Sequence, residues 1–367
     1  MHPLDYIEEH LAHSILSPNG KAQYRLGDVA ARELRPFVDE IRAVSAAYVS
    51  HRVGTTLSSP ISSLKSSFAY ALYYSPINAA KLLHLLPHIQ ISKPTLSVLD
   101  VGCGPGTAGF ALLAEMPQNL DLTCIETSPA MRSAAAQLLK AWPAPGKLHS
   151  LTLKPALSDL AVPNSFDLVI AANVLAELPE HEAKGYSRKL AAVVGQGGYL
   201  IIIEPGQLAH TRRAMQIRDL LLQEFPELTP RFPCLRADSC PMLLASENDW
   251  CHGTIEWNQP RLHRQLDTLL GFNKHRIKFS AFIFQRGASL LPGVRVLTPP
   301  RKNSRGVEGL VCGKNLYGLV LISKAMRGPA TRAFEKAGVF DRLIFDPPCV
   351  GEAPAIVVVS TPSEGHI

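Results

Sequence analysis

Three cysteines fall within the eighteen residues "CLRADSCPMLLASENDWC", spaced Cys234-x5-Cys240-x10-Cys251, in a chain of 367 residues that has only seven. Metal centres need about four soft ligands converging from irregular backbone, and a stretch rich in Pro, Asp, Ser and Asn permits that better than a regular helix would. Cys312, Cys349 and His252 are the candidates for a fourth ligand. Thiolates suit zinc and iron–sulfur centres alike, so spacing alone leaves both open. A second constellation lies upstream, where "VLDVGCGPGTAGF" places Asp100 and then Gly102, Gly104 and Gly106 at a strand exit, directly before a helix. Glycines there allow a tight turn and bring backbone N–H groups and a helix N-terminus close to a ligand. Glu126 closes the next strand, where a carboxylate can accept hydrogen bonds from both ribose hydroxyls of a nucleotide. Cys103 and Cys124 read as small packing residues rather than nucleophiles.

The elements that must position these residues are legible from periodicity. Residues 1–94 read as a helical region: "LGDVAARELRPFVDEIRAVSAAYVSHR" and "SSFAYALYYSPINAAKLLHLLPHI" repeat apolar residues at three- and four-residue spacing. From Leu96 to Glu204 strands alternate with helices ("LSVLDVG", "LDLTCIE", "KLHSLTL", "FDLVIAAN", "GGYLIIIE"), and Ser128 and Pro129 supply an N-cap and N1 proline for "AMRSAAAQLLKAW". That alternation predicts an α/β domain with a parallel sheet, spanning 95–224 plus about 261–287, whose ligands bind beyond the carboxyl ends of the strands. Residues 225–260 form a Cys-rich, irregular insertion. Residues 288–367 read as a small, basic, β-rich C-terminal extension, with short apolar runs punctuated by Gly and Pro.

Charge is unevenly spread. The whole chain is +6, yet Trp257–Phe345 holds sixteen Lys/Arg against four Asp/Glu, a net +12. Such a split points to a polyanion partner for the C-terminal part. Structured RNA is met through phosphates, 2′-hydroxyls and shape, so Lys278, Arg286, Arg301, Lys302 and Arg305 are the candidate RNA contacts, with "TPPRKNSRG" the densest basic loop. No apolar run approaches the roughly 18 residues of a membrane span. The acidic start "MHPLDYIEEHLAHSIL" lacks secretory and transit-peptide character, which makes cytoplasm the expected location.

The glycine turn together with Glu126 resembles the S-adenosylmethionine-dependent methyltransferases of the Rossmann-like class I fold. The resemblance implies that Asp100, Gly102, Gly104 and Gly106 bind the methionine and ribose part, that Glu126 binds the ribose, and that Asn173 lies near the methyl donor. Asp159 is a candidate for the adenine amino group. No catalytic residue is singled out: methyl transfer is an in-line displacement that positioning can accelerate. The (D/N)PP(Y/F) motif of base-amine methyltransferases is replaced by "AANVLAEL", and "DPPC" at Asp346–Cys349 reads as a proline turn.

Further along, the order of glycine turn, "PC…CP…WCH" loop, "KFSAFIFQRG" strand and "RVLTPPRK…GLVC" tail is similar to the Rsm22-like family, methyltransferase-fold proteins of the mitochondrial and bacterial small ribosomal subunit. The match covers about residues 60–345. It implies a [4Fe-4S] cluster on Cys234, Cys240, Cys251 and Cys312, with zinc the alternative from ligand chemistry alone. It also implies the small ribosomal subunit and its rRNA as partners, with no membrane and no DNA specificity, and the mitochondrial matrix as the location if the gene is organellar. The expected function is an rRNA-directed methyltransferase acting in small-subunit assembly or translation. The alternative is a non-catalytic assembly factor that keeps the fold as a binding platform, whereas a small-molecule methyltransferase would leave the +12 segment unexplained.

Overall fold

Short strands that alternate with helices are joined by crossovers into a parallel sheet with helices on its faces, and the observed architecture follows from that. The computed structural model describes residues 1–17, 29–50, 61–159, 166–314, 316–324, 329–345 and 356–358. Two compact units are distinguished, one formed by Met1–Glu204 with Ile255–Ile277 and the other by Pro205–Thr254 with Lys278–His366.

The first unit opens with three helices, α1 (Pro3–Leu16), α2 (Ala31–Ser50) and α3 (Leu64–Leu85). Helix α3 starts at a reciprocal capping box between Ser63 and Ser66, which satisfies two otherwise orphaned N–H groups. Then come β1 (Thr95–Val101), α4 (Thr107–Glu115), β2 (Asn119–Ile125), α5 (Pro129–Lys140), β3 (Leu148–Lys154), β4 (Phe166–Ala172), α6 (Glu180–Ala192) and β5 (Val194–Pro205). These five strands lie in the order β3-β2-β1-β4-β5, and every adjacent pair is parallel. Six of the seven residues of β4 are buried, as expected of a strand covered on both faces. Ser128 caps α5 by accepting from Met131 N–H at 3.3 Å, as its sequence position indicates. The sheet is of the doubly wound, Rossmann-like type. The strand order reverses between β1 and β4, with β2 and β3 added on one side and β4 and β5 on the other, and that switch point is the crevice where such sheets bind ligands.

The chain continues through α7 (Leu208–Glu224), β6 (Leu228–Phe232), α8 (Pro241–Ala245) and β7 (Gly253–Glu256). Helix α9 (Arg261–Leu270) returns to the first unit, where Glu8 of α1 accepts from its Leu262 and His263 N–H groups at 2.9 and 2.7 Å. Within the second unit, β8 (Arg276–Arg286) pairs antiparallel with β6. The Cys-rich stretch is thus not wholly irregular: "LTPRF" forms β6 despite Pro230, a residue that reads as a strand breaker in the sequence.

A separate sheet follows, built from β9 (Val294–Val296), β10 (Arg301–Lys302), β11 (Gly306–Gly313), β12 (Tyr317–Ser323), β13 (Arg342–Phe345) and β14 (Ile356–Val358), with helix α10 (Pro329–Lys336) between β12 and β13. Its paired strands are antiparallel, and Val294, Val296, Val311, Ile322, Phe334 and Leu343 belong to its core. No described helix is long and apolar enough to cross a membrane.

Candidate functional site

The carboxyl end of β1 meets the carboxyl ends of β2 and β4 in register, Asp100 lying beside Cys124 on one side and Ile170 on the other. Beyond it the chain turns sharply: Gly102, Gly104 and Gly106 all have positive φ, at +65°, +55° and +100°. A β-carbon on Gly102 would stand 2.3 Å from the Val174 side chain, and one on Gly106 would meet Leu139 at 2.8 Å, so both the conformation and the space require glycine. Gly106 caps α4 without a side-chain hydrogen bond, and the Gly106 and Thr107 N–H groups turn back to the Cys103 carbonyl at 2.9 and 3.4 Å, which places the N-terminus of the helix beside the turn.

A pocket opens over this turn. It is lined by Asp100, Gly102 and Gly104, by Asn173 at the end of β4, and by Tyr70 and Asn78 from α3. Asp100 is 2% exposed, and its Oδ2 has no hydrogen-bond partner among the described residues. Burial, and then the negative charge of Glu126, push its carboxyl up to about 7. Glu126 holds the turn itself, accepting from Gly104 N–H at 3.0 Å and from Ser128 N–H at 2.8 Å. Asn173 sits at φ +60°, its amide nitrogen donating to Asn78 Oδ1 at 3.3 Å while its own buried Oδ1 has no partner among the described residues. Asn78 in turn donates to the Tyr70 hydroxyl at 3.2 Å and accepts from Lys81 at 2.9 Å. Burial drives Lys81 down to about 8 against the favourable charge of Glu204, and drives Glu177 up to about 7, reinforced by Glu126. Asp159 closes a short 3-10 turn, and its side chain lies outside the described residues.

Among the described residues, Asp100, Cys103 and Cys124 have ligand atoms within 4.8 Å of one another. A hydrogen bond with Cys124 and then burial raise the Cys103 thiol well above its usual range; the same bond lowers Cys124, whose burial and acidic neighbours nonetheless raise it. Protonated, buried thiols of this kind pack rather than react.

The second unit gathers Cys234, Cys240, Cys251 and Cys312. Every one of the six thiol pairs interacts electrostatically. Burial raises Cys251 and takes Cys312 up to about 12, and the charges of the neighbouring thiols add to both. No three of the four meet the 4.8 Å mutual spacing of the Asp100 group.

Helix α7 organises the loops that carry them. Asp219 accepts the Cys240 N–H on both carboxylate oxygens, at 3.1 and 3.0 Å. Arg218 donates to the carbonyls of Arg236 and Asp238, between Cys234 and Cys240. Arg212 holds the Ser246 and Asp249 carbonyls at 2.6 and 2.8 Å, just ahead of Cys251, while Ser280 of β8 donates to the Cys251 carbonyl at 3.0 Å. Cys312 lies on β11. His252 stacks on Trp250 and contacts the Trp250 carbonyl through Nδ1 at 3.0 Å, and Cys349 lies outside the described residues.

The candidate RNA contacts are differently placed. Lys278 Nζ lies 4.5 Å from the centre of the Trp250 ring. Arg286 pairs with Glu227, Lys302 with Glu335, and Arg305 with Glu308 at 3.8 Å. Arg301 is exposed on β10.

The family described as "Mitochondrial small ribosomal subunit Rsm22" matches residues 64–337. The chain belongs to this family. No curated protein matches it. Solved structures similar to this Rsm22-family chain include a putative class I S-adenosylmethionine-dependent methyltransferase from Listeria monocytogenes, with 13% identity over 91% of this chain and 90% of that one and a TM-score of 0.39. Magnesium protoporphyrin IX methyltransferase from Synechocystis, with bound SAM, is 14% identical over 62% and 85% of the two chains, with a TM-score of 0.37. The N-methyltransferase NodS from Bradyrhizobium japonicum, in complex with S-adenosyl-L-homocysteine, is 16% identical over 58% and 89%, also with a TM-score of 0.37.

Several pocket and loop residues of this Rsm22-family chain escape a reading of the sequence alone. Tyr70, Asn78 and Leu82 reach the pocket from α3. Their spacing in steps of four or eight places them on one helical stripe, where a tyrosine and an asparagine in an otherwise apolar helix are the available signal. Arg218 is another, a cation four residues after Ala214 and four before Leu222 on the buried face of α7.

Proposed function

We propose that this chain is an S-adenosylmethionine-binding, methyltransferase-like protein of the small ribosomal subunit, with rRNA as the acceptor of its nominal reaction. The observation that carries this reading is the buried, unpartnered Asp100 Oδ2 in a pocket at the sheet's switch point. An orphaned carboxylate oxygen there suits a cationic ligand, and the positive end of the α4 dipole beside it suits the ligand's carboxylate. Asp100 and the glycine turn would hold the methionine part, Glu126 the ribose, and Asn173 would face the acceptor side. The cofactor supplies a methyl group on a sulfonium, and the protein's share of the work is orientation and exclusion of water.

The ribosomal part of the proposal rests on family membership and on the +12 segment. It places the protein wherever that subunit is built, in bacterial cytoplasm or the mitochondrial matrix. The four thiols fit a [4Fe-4S] cluster by donor chemistry. A single zinc would take the same four sulfurs at about 2.3 Å, and family membership is what favours the iron–sulfur core over it. Such a cluster would tie the loops before and after α8 to β11 and make folding of the second unit depend on iron.

Calorimetry with S-adenosylmethionine, followed by transfer of labelled methyl to small-subunit rRNA and precursor particles, tests the reading. Binding that is lost in Asp100→Asn, together with labelled rRNA, is the expected result. Absence of cofactor binding overturns it. Binding without transfer selects the second reading, a non-catalytic assembly factor. Anaerobically prepared protein should be brown and contain iron and sulfide, both lost in Cys240→Ser, whereas zinc in their place removes the cluster.

A further inference from the structure

Two guanidinium groups are buried in the second unit, and neither is explained by an ordinary surface ion pair. Arg218 is 1% exposed and Arg295 4% exposed. Burying a cation costs several kcal/mol unless nearby charge or hydrogen bonds compensate it. Arg218 donates to the carbonyls of Arg236 and Asp238 and pairs with Asp219 at 2.5 Å, but that carboxylate also accepts the Cys240 N–H. Its Nε is a buried donor with no partner among the described residues. Arg295 spends its three nitrogens on the carbonyls of Pro233, Phe340 and Arg231, at 2.9, 2.9 and 3.0 Å. No carboxylate lies within 4 Å of it among the described residues.

Both are built into the thiol loops. Arg218 grips the backbone between Cys234 and Cys240, and Arg295 holds the residue preceding Cys234. Arg295 is also the direct cross-strand partner of Cys312, Cα to Cα, in the antiparallel pairing of β9 with β11, so the two side chains share one face of the sheet. The charge of Arg218 is felt by all four thiols. A [4Fe-4S] core of charge +2 on four thiolates carries a net charge of about −2, which in a buried site calls for cations at short range.

We infer that Arg218 and Arg295 are the charge-compensating residues of the four-thiol centre, offsetting its negative charge and thereby setting how readily it accepts an electron. The inference rests on the cluster reading. One-electron reduction takes the centre and its thiolates from about −2 to about −3, so each buried cation favours the reduced form. Removing one shifts the equilibrium towards the oxidised form.

The test uses the full chain, purified anaerobically, with Arg218→Gln, Arg295→Gln, Arg218→Lys and Arg295→Lys beside the wild type. Iron and sulfide contents are measured first. Midpoint potentials then come from a mediated dithionite titration followed by absorbance and electron paramagnetic resonance. The glutamine variants keep a hydrogen-bond donor without charge, and each is expected to disfavour reduction at least tenfold, about 59 mV for one electron. The lysine variants, which keep the charge, should recover most of that shift. Loss of iron from the glutamine variants with retention in the lysine variants also supports the inference. Glutamine variants with full iron at the wild-type potential overturn it, as does equal behaviour of glutamine and lysine variants, which would leave only a packing role. A wild type lacking iron and sulfide removes the cluster reading, and this inference with it, before any variant is compared.

Discussion

Glu126 reaches from the end of β2 to the backbone of Gly104, accepting its N–H at 3.0 Å, so the residue proposed above to bind a ribose also pins the glycine turn. Its second carboxylate oxygen takes the Ser128 N–H at 2.8 Å, which ties the turn to the start of α5. Hydrogen bonds to a charged acceptor contribute about 1.5–3 kcal/mol each. Glu126→Ala should therefore weaken S-adenosylmethionine binding by about tenfold to a hundredfold in a calorimetric titration. Glu126→Gln, which can still accept one of the two N–H groups, should fall between. Unchanged affinity in both variants would show that the ribose is held elsewhere.

Asp100 gives the pocket a pH dependence. Its carboxyl is raised to about 7, so it is neutral below that value and charged above it. A cationic ligand pairs with the carboxylate, and affinity should rise as pH increases from 6 to 8 and then level off. In Asp100→Asn the profile should be flat across that window. Isothermal titration at four pH values in one ionic strength is sufficient to see it.

The docking of α1 on α9 carries the opposite sign for stability. Glu8 is raised from 4.5 to about 7, mainly by burial and against the lowering effect of the Leu262 and His263 N–H groups. A carboxyl with a folded pKa above its unfolded value binds more protons in the folded state between the two. Its contribution is therefore complete below about 4.5 and declines as pH rises towards 7, by at most about 1.4 kcal/mol per pH unit. Glu8→Gln should remove that part of the slope in urea unfolding followed by circular dichroism.

Tyr73 donates to the buried carboxylate of Asp267 at 2.6 Å, and the other oxygen of Asp267 accepts from Gln259 and from Lys274 N–H. Tyr73→Phe keeps the ring stacked on His263 but leaves one Asp267 oxygen unsatisfied. A loss of about 1–3 kcal/mol is expected in equilibrium unfolding. A neutral substitution would mean that water replaces the hydroxyl.

On the basic surface, Lys302 and Arg305 already face Glu335 and Glu308, while Arg301 stands exposed beside them on β10. Arg301→Ala should weaken binding to small-subunit rRNA more than Lys302→Ala. It should also reduce the slope of log affinity against log salt by roughly 0.7–0.9. Filter binding across a salt series distinguishes this from a loss of folding, which would abolish binding without a graded change in slope.

Where structure is set by neighbours in the chain, the sequence is explicit. The glycines of "DVGCGPG" dictate the turn because no other residue fits positive φ against Val174 and Leu139, and Ser128 with Pro129 starts α5 through a cap of local range. The alternation of strands and helices likewise announces the parallel sheet, since a parallel pair needs a crossover connection. Strand β6 was less legible because Pro230 lies within it, and its place in a sheet depends on pairing with residues more than fifty positions away.

Local conformations, the sheet type and the supply of thiols are written in the order of residues, because they depend on neighbours a few positions apart. Only the tertiary structure decided that Asn78 of α3 meets Asn173 after β4, that Arg218 grips the loop between Cys234 and Cys240, and that Arg295 faces Cys312 across a ladder. Those contacts join segments with no local coupling. Burial then gives them their chemistry, by removing the water that would otherwise satisfy an orphaned carboxylate or solvate a guanidinium.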